Sequence, residues 1–188
     1  SDLMIGYKVY NYVHIVLSAY KNYWIPLILK KYQDKDLIYT ENNRVLIGSF
    51  VLSILALIFL SPFLSYFNNG EFSYSDLMKF LPILLINIVF QVLFFAYGAV
   101  PLILKDTKSL YKINTITLVF AGVGGFVFVF FWGIYGAIAI LIANNILTLY
   151  LYNKNFDLSL VRFNYKIPII IITIFVIIGV YFEYFYHS

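Results

Sequence analysis

A row of polar side chains runs along the first apolar segment of the chain, residues 4–29, which we call segment A. At 100° per residue these side chains share an arc of about 100°, and most of the remaining circumference is aliphatic or aromatic. This pattern is typical of a spanning helix that borders a wet cavity, although an amphipathic helix lying flat on the membrane is the alternative. The row comprises Tyr7, Asn11, His14, Ser18, Lys21 and Asn22, with Lys8 at its margin.

Lys21 carries the strongest chemical signal in this row. An ammonium within a bilayer costs at least about 2.5 kcal/mol on insertion scales, so it needs water or a partner. The alternative is that Lys21 snorkels to nearby headgroups. Polar groups at this depth mark substrate pathways, and we therefore predict substrate contacts from Lys21, Asn11, His14, Ser18 and Asn22, and less strongly from Lys8.

A second pair of polar residues lies on a later segment, residues 77–104 (segment C). Asn87 and Gln91 are four residues apart and so share one face of a helix. Such amides often serve only as interhelical hydrogen bonds worth about 0.6–2 kcal/mol. Substrate binding by Asn87 and Gln91 is the other possibility.

The composition places all of these residues in a membrane protein. The chain is 62% hydrophobic and 12% charged, with a mean hydropathy of +0.86. Because hydrocarbon cannot satisfy a strand's backbone, the apolar segments should be spanning helices. We predict an all-α, polytopic transmembrane helical bundle with helices at about 4–29, 44–67, 77–104, 113–132, 135–152 and 166–184, called segments A to F.

Segments D and E should form a tight antiparallel hairpin. They contain no charged residue and meet at Gly133-Ile134-Tyr135-Gly136. Small residues let helix backbones approach closely. They cluster along both segments, at Ala121, Gly122, Gly124, Gly125, Gly136, Ala137 and Ala139.

The basic residues are distributed unequally between the loops. The A–B, C–D and E–F loops with their flanks hold ten Lys or Arg residues, whereas the B–C loop has only Lys79 nearby and the D–E turn has none. This bias predicts that the first three loops are cytoplasmic, and the basic pI reflects topology and contact with anionic lipids rather than nucleic-acid binding. The ten are Lys30, Lys31, Lys35, Arg44, Lys105, Lys108, Lys112, Lys154, Arg162 and Lys166.

Catalytic and cofactor motifs are missing from the sequence. It has no nucleophile elbow, zinc-protease or phosphate-loop pattern, and no cysteine. His14 and His187 are too few to suggest a metal cluster. We therefore expect no enzymatic activity, no cofactor and no metal site.

Several stretches resemble the carboxyl-terminal part of the polysaccharide flippases, the O-antigen and capsule exporters of the multidrug/oligosaccharidyl-lipid/polysaccharide superfamily. The resemblance covers about residues 3–155. It rests on Gly6-Tyr7 and Pro26-Leu27 followed by a basic loop, on Asp106-Thr107-Lys108 with Lys112-Ile113-Asn114, and on the turn Trp132-Gly133-Ile134-Tyr135-Gly136-Ala137.

The resemblance implies a two-lobe exporter, in which residues 1–152 belong to the second lobe and residues 153–188 add a further helix. The chain starts without Met, so we expect a fragment whose partner is the missing amino-terminal lobe. The implied activity moves undecaprenyl-diphosphate-linked oligosaccharide across the bacterial cytoplasmic (inner) membrane for lipopolysaccharide and other polysaccharide biosynthesis. The segment A row and its neighbours would contact the anionic or sugar part of this lipid-linked oligosaccharide.

Two alternatives remain open at this point. One is a cation-coupled multidrug exporter of the same superfamily, which should carry an intramembrane acidic residue. Segments A to E contain none, and we expect Glu183, at the end of segment F, to lie at the water boundary. The other is a non-transport membrane protein of a glycan pathway.

The predicted topology can be tested by cysteine substitution in this cysteine-free chain. Lys35→Cys, Lys108→Cys and Arg162→Cys should react with an impermeant thiol reagent only after the cells are opened, whereas Gly70→Cys and Tyr135→Cys should react in intact cells. Labelling of Lys35→Cys from outside intact cells would contradict the orientation.

Overall fold

A computed structural model describes residues 2–60 and 74–185, which form helices joined by short turns and loops, with no strand among them. α2 continues into a π-helical turn at Ala56–Leu60, and a 3-10 turn at Leu158–Val161 precedes the last helix. The six helices are α1 at Asp2–Lys31, α2 at Lys35–Leu55, α3 at Tyr74–Ile103, α4 at Thr107–Gly133, α5 at Tyr135–Asn155 and α6 at Lys166–Phe185.

Four of these helices have the length and hydropathy of bilayer spans. The spans are Lys35–Phe59, Leu81–Ile103, Thr107–Gly133 and Tyr135–Asn155, and α6 contributes a shorter apolar helix at Lys166–Phe182. α1 has 30 residues, or about 45 Å of helix, but it is not among the described helices that are apolar enough to count as spans, although segment A was predicted to be one. The prediction of an all-α membrane bundle is confirmed.

α2 begins at Lys35 rather than at residue 44, within the stretch that we predicted to be a polar loop. The Asp34 carboxylate accepts a hydrogen bond from Leu37 N at 3.0 Å, which caps the first turn. Ile38, Asn42 and Leu46 then recur every four residues and are buried. The predicted end of segment B and the loop that contains Gly70 lie outside the described residues.

The chain divides into two compact units. The first comprises Ser1–Tyr23, Asn43–Val92 and Phe163–Ser188, and the second comprises Trp24–Asn42 and Leu93–Arg162. In the first unit, Phe175 of α6 is fully buried and packs edge-on against Phe50 of α2, with ring centroids 5.8 Å apart. In the second unit, Tyr97 of α3 packs against Tyr152 of α5 at 6.5 Å.

α3 is the most buried of the four candidate spans. Of its most apolar stretch of 18 residues, 78% is buried, against 6% for the corresponding stretch of α4. The high apolar content of α3 suits a helix with little exposed surface. α4 instead presents most of its surface outward, as expected of a helix in contact with lipid.

α4 and α5 form the predicted antiparallel hairpin, and the turn is shorter than the four residues expected. Only Gly133 departs from helical geometry, with φ 56° and ψ −128°, a conformation that glycine adopts readily. A Cβ placed on Gly136 would overlap the backbone of Phe128, and one placed on Gly124 would lie 2.5 Å from Cδ1 of Ile140. The two helices therefore approach closely at these glycines.

Two consecutive asparagines join the connection between α5 and α6 to the first part of α2. Asn42 Nδ2 donates to the carbonyl of Arg162 at 3.1 Å, and Asn43 Oδ1 accepts from Asn164 N at 2.9 Å. These contacts bring the α5–α6 connection against the first turns of α2.

Asp157 forms a small electrostatic cluster in the same connection. Its carboxylate accepts hydrogen bonds from Ser159 N and Ser159 Oγ, each at 2.9 Å. These hydrogen bonds, assisted by the charges of Lys35 and Arg162, hold the pKa of Asp157 below its usual value. The electrostatic link from Lys35 to the α5–α6 connection agrees with the asparagine contacts.

Exposed aromatic residues mark both ends of α4. Tyr111 is 75% exposed and Trp132 is 58% exposed. They are separated by about 31 Å of helix, close to the ~30 Å thickness of a bilayer's hydrocarbon layer. Tyr and Trp favour the two membrane–water interfaces, so these residues indicate where the bilayer borders lie.

Gly136→Leu should destabilise the hairpin, because the new side chain would meet the Phe128 backbone. We expect a loss of about 1–3 kcal/mol or more, measured as a lower thermal unfolding temperature of the purified protein in detergent. Gly122→Leu is the matched control, since no atom lies near the Cβ position of Gly122. Equal unfolding temperatures for the two variants would show that the close approach at Gly136 is not important.

Candidate functional site

α1 divides into three sectors around its circumference. Its buried stripe consists of Val13, Leu17, Trp24 and Ile28. The predicted polar row lies about 100° away from this stripe, at the border between the buried and exposed surfaces. Of the predicted site residues on α1, Asn11, His14, Ser18 and Lys21 are half-buried, whereas Lys8 and Asn22 are exposed.

Asn87 lies on α3 and is 6% exposed. Its Nδ2 donates a 2.6 Å hydrogen bond to the hydroxyl of Tyr10 on α1. This contact is an interhelical hydrogen bond of the kind that we considered as the simpler role for Asn87, and it brings α3 to the polar side of α1. Tyr10 was not among the predicted site residues.

The polar contacts continue along α1 from Tyr10. The Tyr10 ring lies 5.9 Å from the His14 ring, with the planes tilted by 31°. The Ser18 hydroxyl is 3.5 Å from His14 Nδ1. Tyr10, His14 and Ser18 follow one another at intervals of four residues, and together with Asn87 they form what we call the polar seam.

Gln91 lies one helical turn after Asn87 on α3 and is half-buried. Four predicted residues lie along the half-buried border of α1, and Asn87 of α3 contacts this helix through Tyr10. The four are Asn11, His14, Ser18 and Lys21.

The opposite flank of α1 borders an apolar groove of about 560 Å³. None of the predicted substrate-binding residues lines it, so the groove and the polar seam are separate features. The π-helical turn of α2 forms part of the groove wall. The lining residues are Tyr12, Val13, Val16, Leu52, Leu55, Ala56 and Phe59.

Three buried polar atoms in the second unit have no hydrogen-bond partner. They are Trp24 Nε1, Asn42 Oδ1 and Asn144 Oδ1. By contrast, the Thr148 hydroxyl donates to the Asn144 carbonyl at 2.7 Å, so Asn144 and Thr148 do share a face and a hydrogen bond within α5. Among the described residues, no group of three or more His, Cys, Asp or Glu side chains is close enough to hold a metal ion.

No protein-family model, curated protein or solved structure matches this chain. Its functional interpretation therefore rests on its own residues and on the membrane-spanning helices that position them.

The bond between Asn87 and Tyr10 should contribute measurably to folding. A double-mutant cycle with Asn87→Leu and Tyr10→Phe should give a coupling free energy of about 0.6–2 kcal/mol, from unfolding of the purified protein in detergent. Tyr12→Phe is the matched control, because Tyr12 lies on the groove side and is exposed. Strictly additive effects of the two substitutions would show that the bond contributes nothing.

Proposed function

We propose that this chain is the carboxyl-terminal part of a flippase that resembles the O-antigen and capsule exporters. The proposed activity carries undecaprenyl-diphosphate-linked oligosaccharide from the inner to the outer leaflet of the bacterial cytoplasmic membrane. The half-buried polar row on α1, in a bundle with four long apolar helices, is the observation that carries this proposal.

The physical task requires such a row. A diphosphate and several sugars cannot enter hydrocarbon without losing their hydration, whereas the polyisoprenoid tail can stay in the bilayer. A polar path along one helix border replaces water for the headgroup, and the apolar helices around it remain in contact with lipid. No bond is made or broken, so the task needs alternating access and not a catalytic residue.

The chemistry of the row fits the two parts of this substrate. Asn11, His14 and Ser18 offer neutral donors and acceptors that match sugar hydroxyl groups. Lys21 offers an ammonium, a suitable contact for a diphosphate. Lys21 lies ten residues before the end of α1, which is about 15 Å from Lys31 along the helix axis.

Lys21 provides the test, in the full-length protein and in a strain that lacks its own flippase. Lys21→Ala and Lys21→Gln should reduce glycan export about ten- to a hundredfold, as expected for the loss of a charge-assisted contact, and Lys21→Arg should retain part of it. Export is measured as surface polysaccharide, normalised to the amount of the variant in the membrane.

Lys31→Gln is the control for a charge that only orients the helix, since Lys31 is exposed in the last turn of α1. It should leave export unchanged. Full export by Lys21→Ala would remove Lys21 from the transport path. Failure of the wild-type full-length protein to restore export would contradict the proposed function itself.

A further inference from the structure

The open end of the α4–α5 hairpin is positively charged and aromatic. Four lysines lie there, Lys105, Lys108 and Lys112 at the start of α4 and Lys154 at the end of α5, and all four are exposed. Two exposed tyrosines accompany them, Tyr111 on α4 and Tyr150 on α5. We call these six residues the lysine–tyrosine rim.

The acidic residue nearest in sequence to this rim is engaged in capping. Between residues 105 and 154 the only acidic residue is Asp106, which leaves a net charge of +3. The Asp106 carboxylate accepts a 3.0 Å hydrogen bond from Ser109 N at the first turn of α4. The opposite end of the hairpin has no charged residue, because none occurs between Lys112 and Lys154.

Lys105 occupies a backbone position that favours glycine. Its φ is 57°, in the left-handed region, and it is the only described residue other than glycine with a positive φ. Asp106 N donates to the Pro101 carbonyl at 2.9 Å and Lys105 N to the Leu102 carbonyl at 3.3 Å, which is the pattern of a Schellman C-cap. Glycine would fit this position without strain, so lysine here carries a conformational cost.

The tyrosines place these charges at the headgroup level of a membrane. Tyr111 and Trp132 lie about 31 Å apart on α4, so Tyr111 is at one border of the hydrocarbon layer. On α5, Lys154 Nζ lies 6.0 Å from the centre of the Tyr150 ring. Lysines beside an interfacial tyrosine extend their ammonium groups toward the phosphates of the adjacent leaflet.

We propose that the lysine–tyrosine rim binds the headgroups of anionic phospholipids in the leaflet at this end of the bundle. The charge is complementary to a phosphate that carries no compensating amine, as in phosphatidylglycerol. The flanking tyrosines favour a lipid over a soluble acidic partner, since their rings lie in the interface from which a lipid headgroup approaches. This binding does not depend on the proposed transport activity.

Tryptophan quenching by brominated lipids tests the proposal in the complete chain. One variant carries Tyr111→Trp with Trp132→Phe and reports on the rim, and the wild-type protein reports on the opposite end through Trp132. Trp24 is common to both and buried. Each protein is reconstituted with dibrominated phosphatidylglycerol or dibrominated phosphatidylcholine, diluted in unbrominated lipid.

The measured ratio is the lipid affinity obtained from quenching by phosphatidylglycerol divided by that obtained with phosphatidylcholine. At the rim tryptophan this ratio should be about five or more, because each lysine near an anionic surface contributes roughly that factor. At Trp132 the ratio should be near one. Salt at about 1 M shortens the screening length to about 3 Å and should remove most of the preference. Equal quenching by the two lipids at the rim would overturn the proposal.

Lysine substitutions separate lipid binding from a role in membrane insertion alone. Lys108→Gln with Lys112→Gln should bring the rim ratio toward one, whereas Lys166→Gln, an exposed lysine of the other unit, should not. Lys105→Gly should lower the ratio and raise the unfolding temperature, since it relieves the positive φ. An unchanged ratio in both rim variants would show that these lysines serve only to set the topology.

Discussion

Hydrocarbon offers no hydrogen-bond partner, so the polar groups inside this bundle depend on partners within the protein. The hydroxyl groups of two buried serines find theirs on their own helix. Ser49 Oγ donates to the Leu46 carbonyl at 2.8 Å, and Ser53 Oγ donates to the Ser49 carbonyl at 2.7 Å. An amide side chain has more donors and acceptors than one helix turn offers, so Asn87 reaches across to Tyr10. The same requirement thus leads the serines to bond within their own helix and the asparagine to bond between two helices.

The apolar segments and the hairpin could be predicted because their signals are local. An uncharged stretch of bilayer length predicts a span whatever surrounds it, and Gly133 with Gly136 marks the reversal between two such stretches. The start of α2 was not predicted, because residues 35–43 are rich in charged and polar residues. Its helix depends on the Asp34 cap and on the burial of Ile38 and Asn42, and burial is a property of the folded chain.

The candidate site likewise has a part that the local sequence predicts and a part that depends on contacts between distant residues. The spacing of Asn11, His14, Ser18 and Lys21 fixed their common face, and the structure finds all four half-buried. Tyr10 was overlooked because, at 100° per residue, it lies just outside the arc of the polar row of segment A. Its hydroxyl becomes part of the site only when Asn87, 77 residues away, is brought beside it. No sequence periodicity specifies such a pair, since it depends on how α1 and α3 pack.

The contrast between the polar seam and the apolar core bears on how a transporter of this kind would move. Separating α2 from α6 would expose Phe50 and Phe175, whose burial cannot be replaced by contact with a polar substrate. The seam instead joins α1 to α3 through the neutral hydrogen bond between Asn87 and Tyr10, worth about 0.6–2 kcal/mol, and a sugar hydroxyl can take the place of either partner. A state that lies only a few kcal/mol above the ground state is populated at 0.1–10%, so opening such a seam is thermodynamically accessible. Under the proposed function, α1 and α3 can therefore separate at this border at little net cost, because hydrogen bonds to the substrate replace the hydrogen bond between the helices.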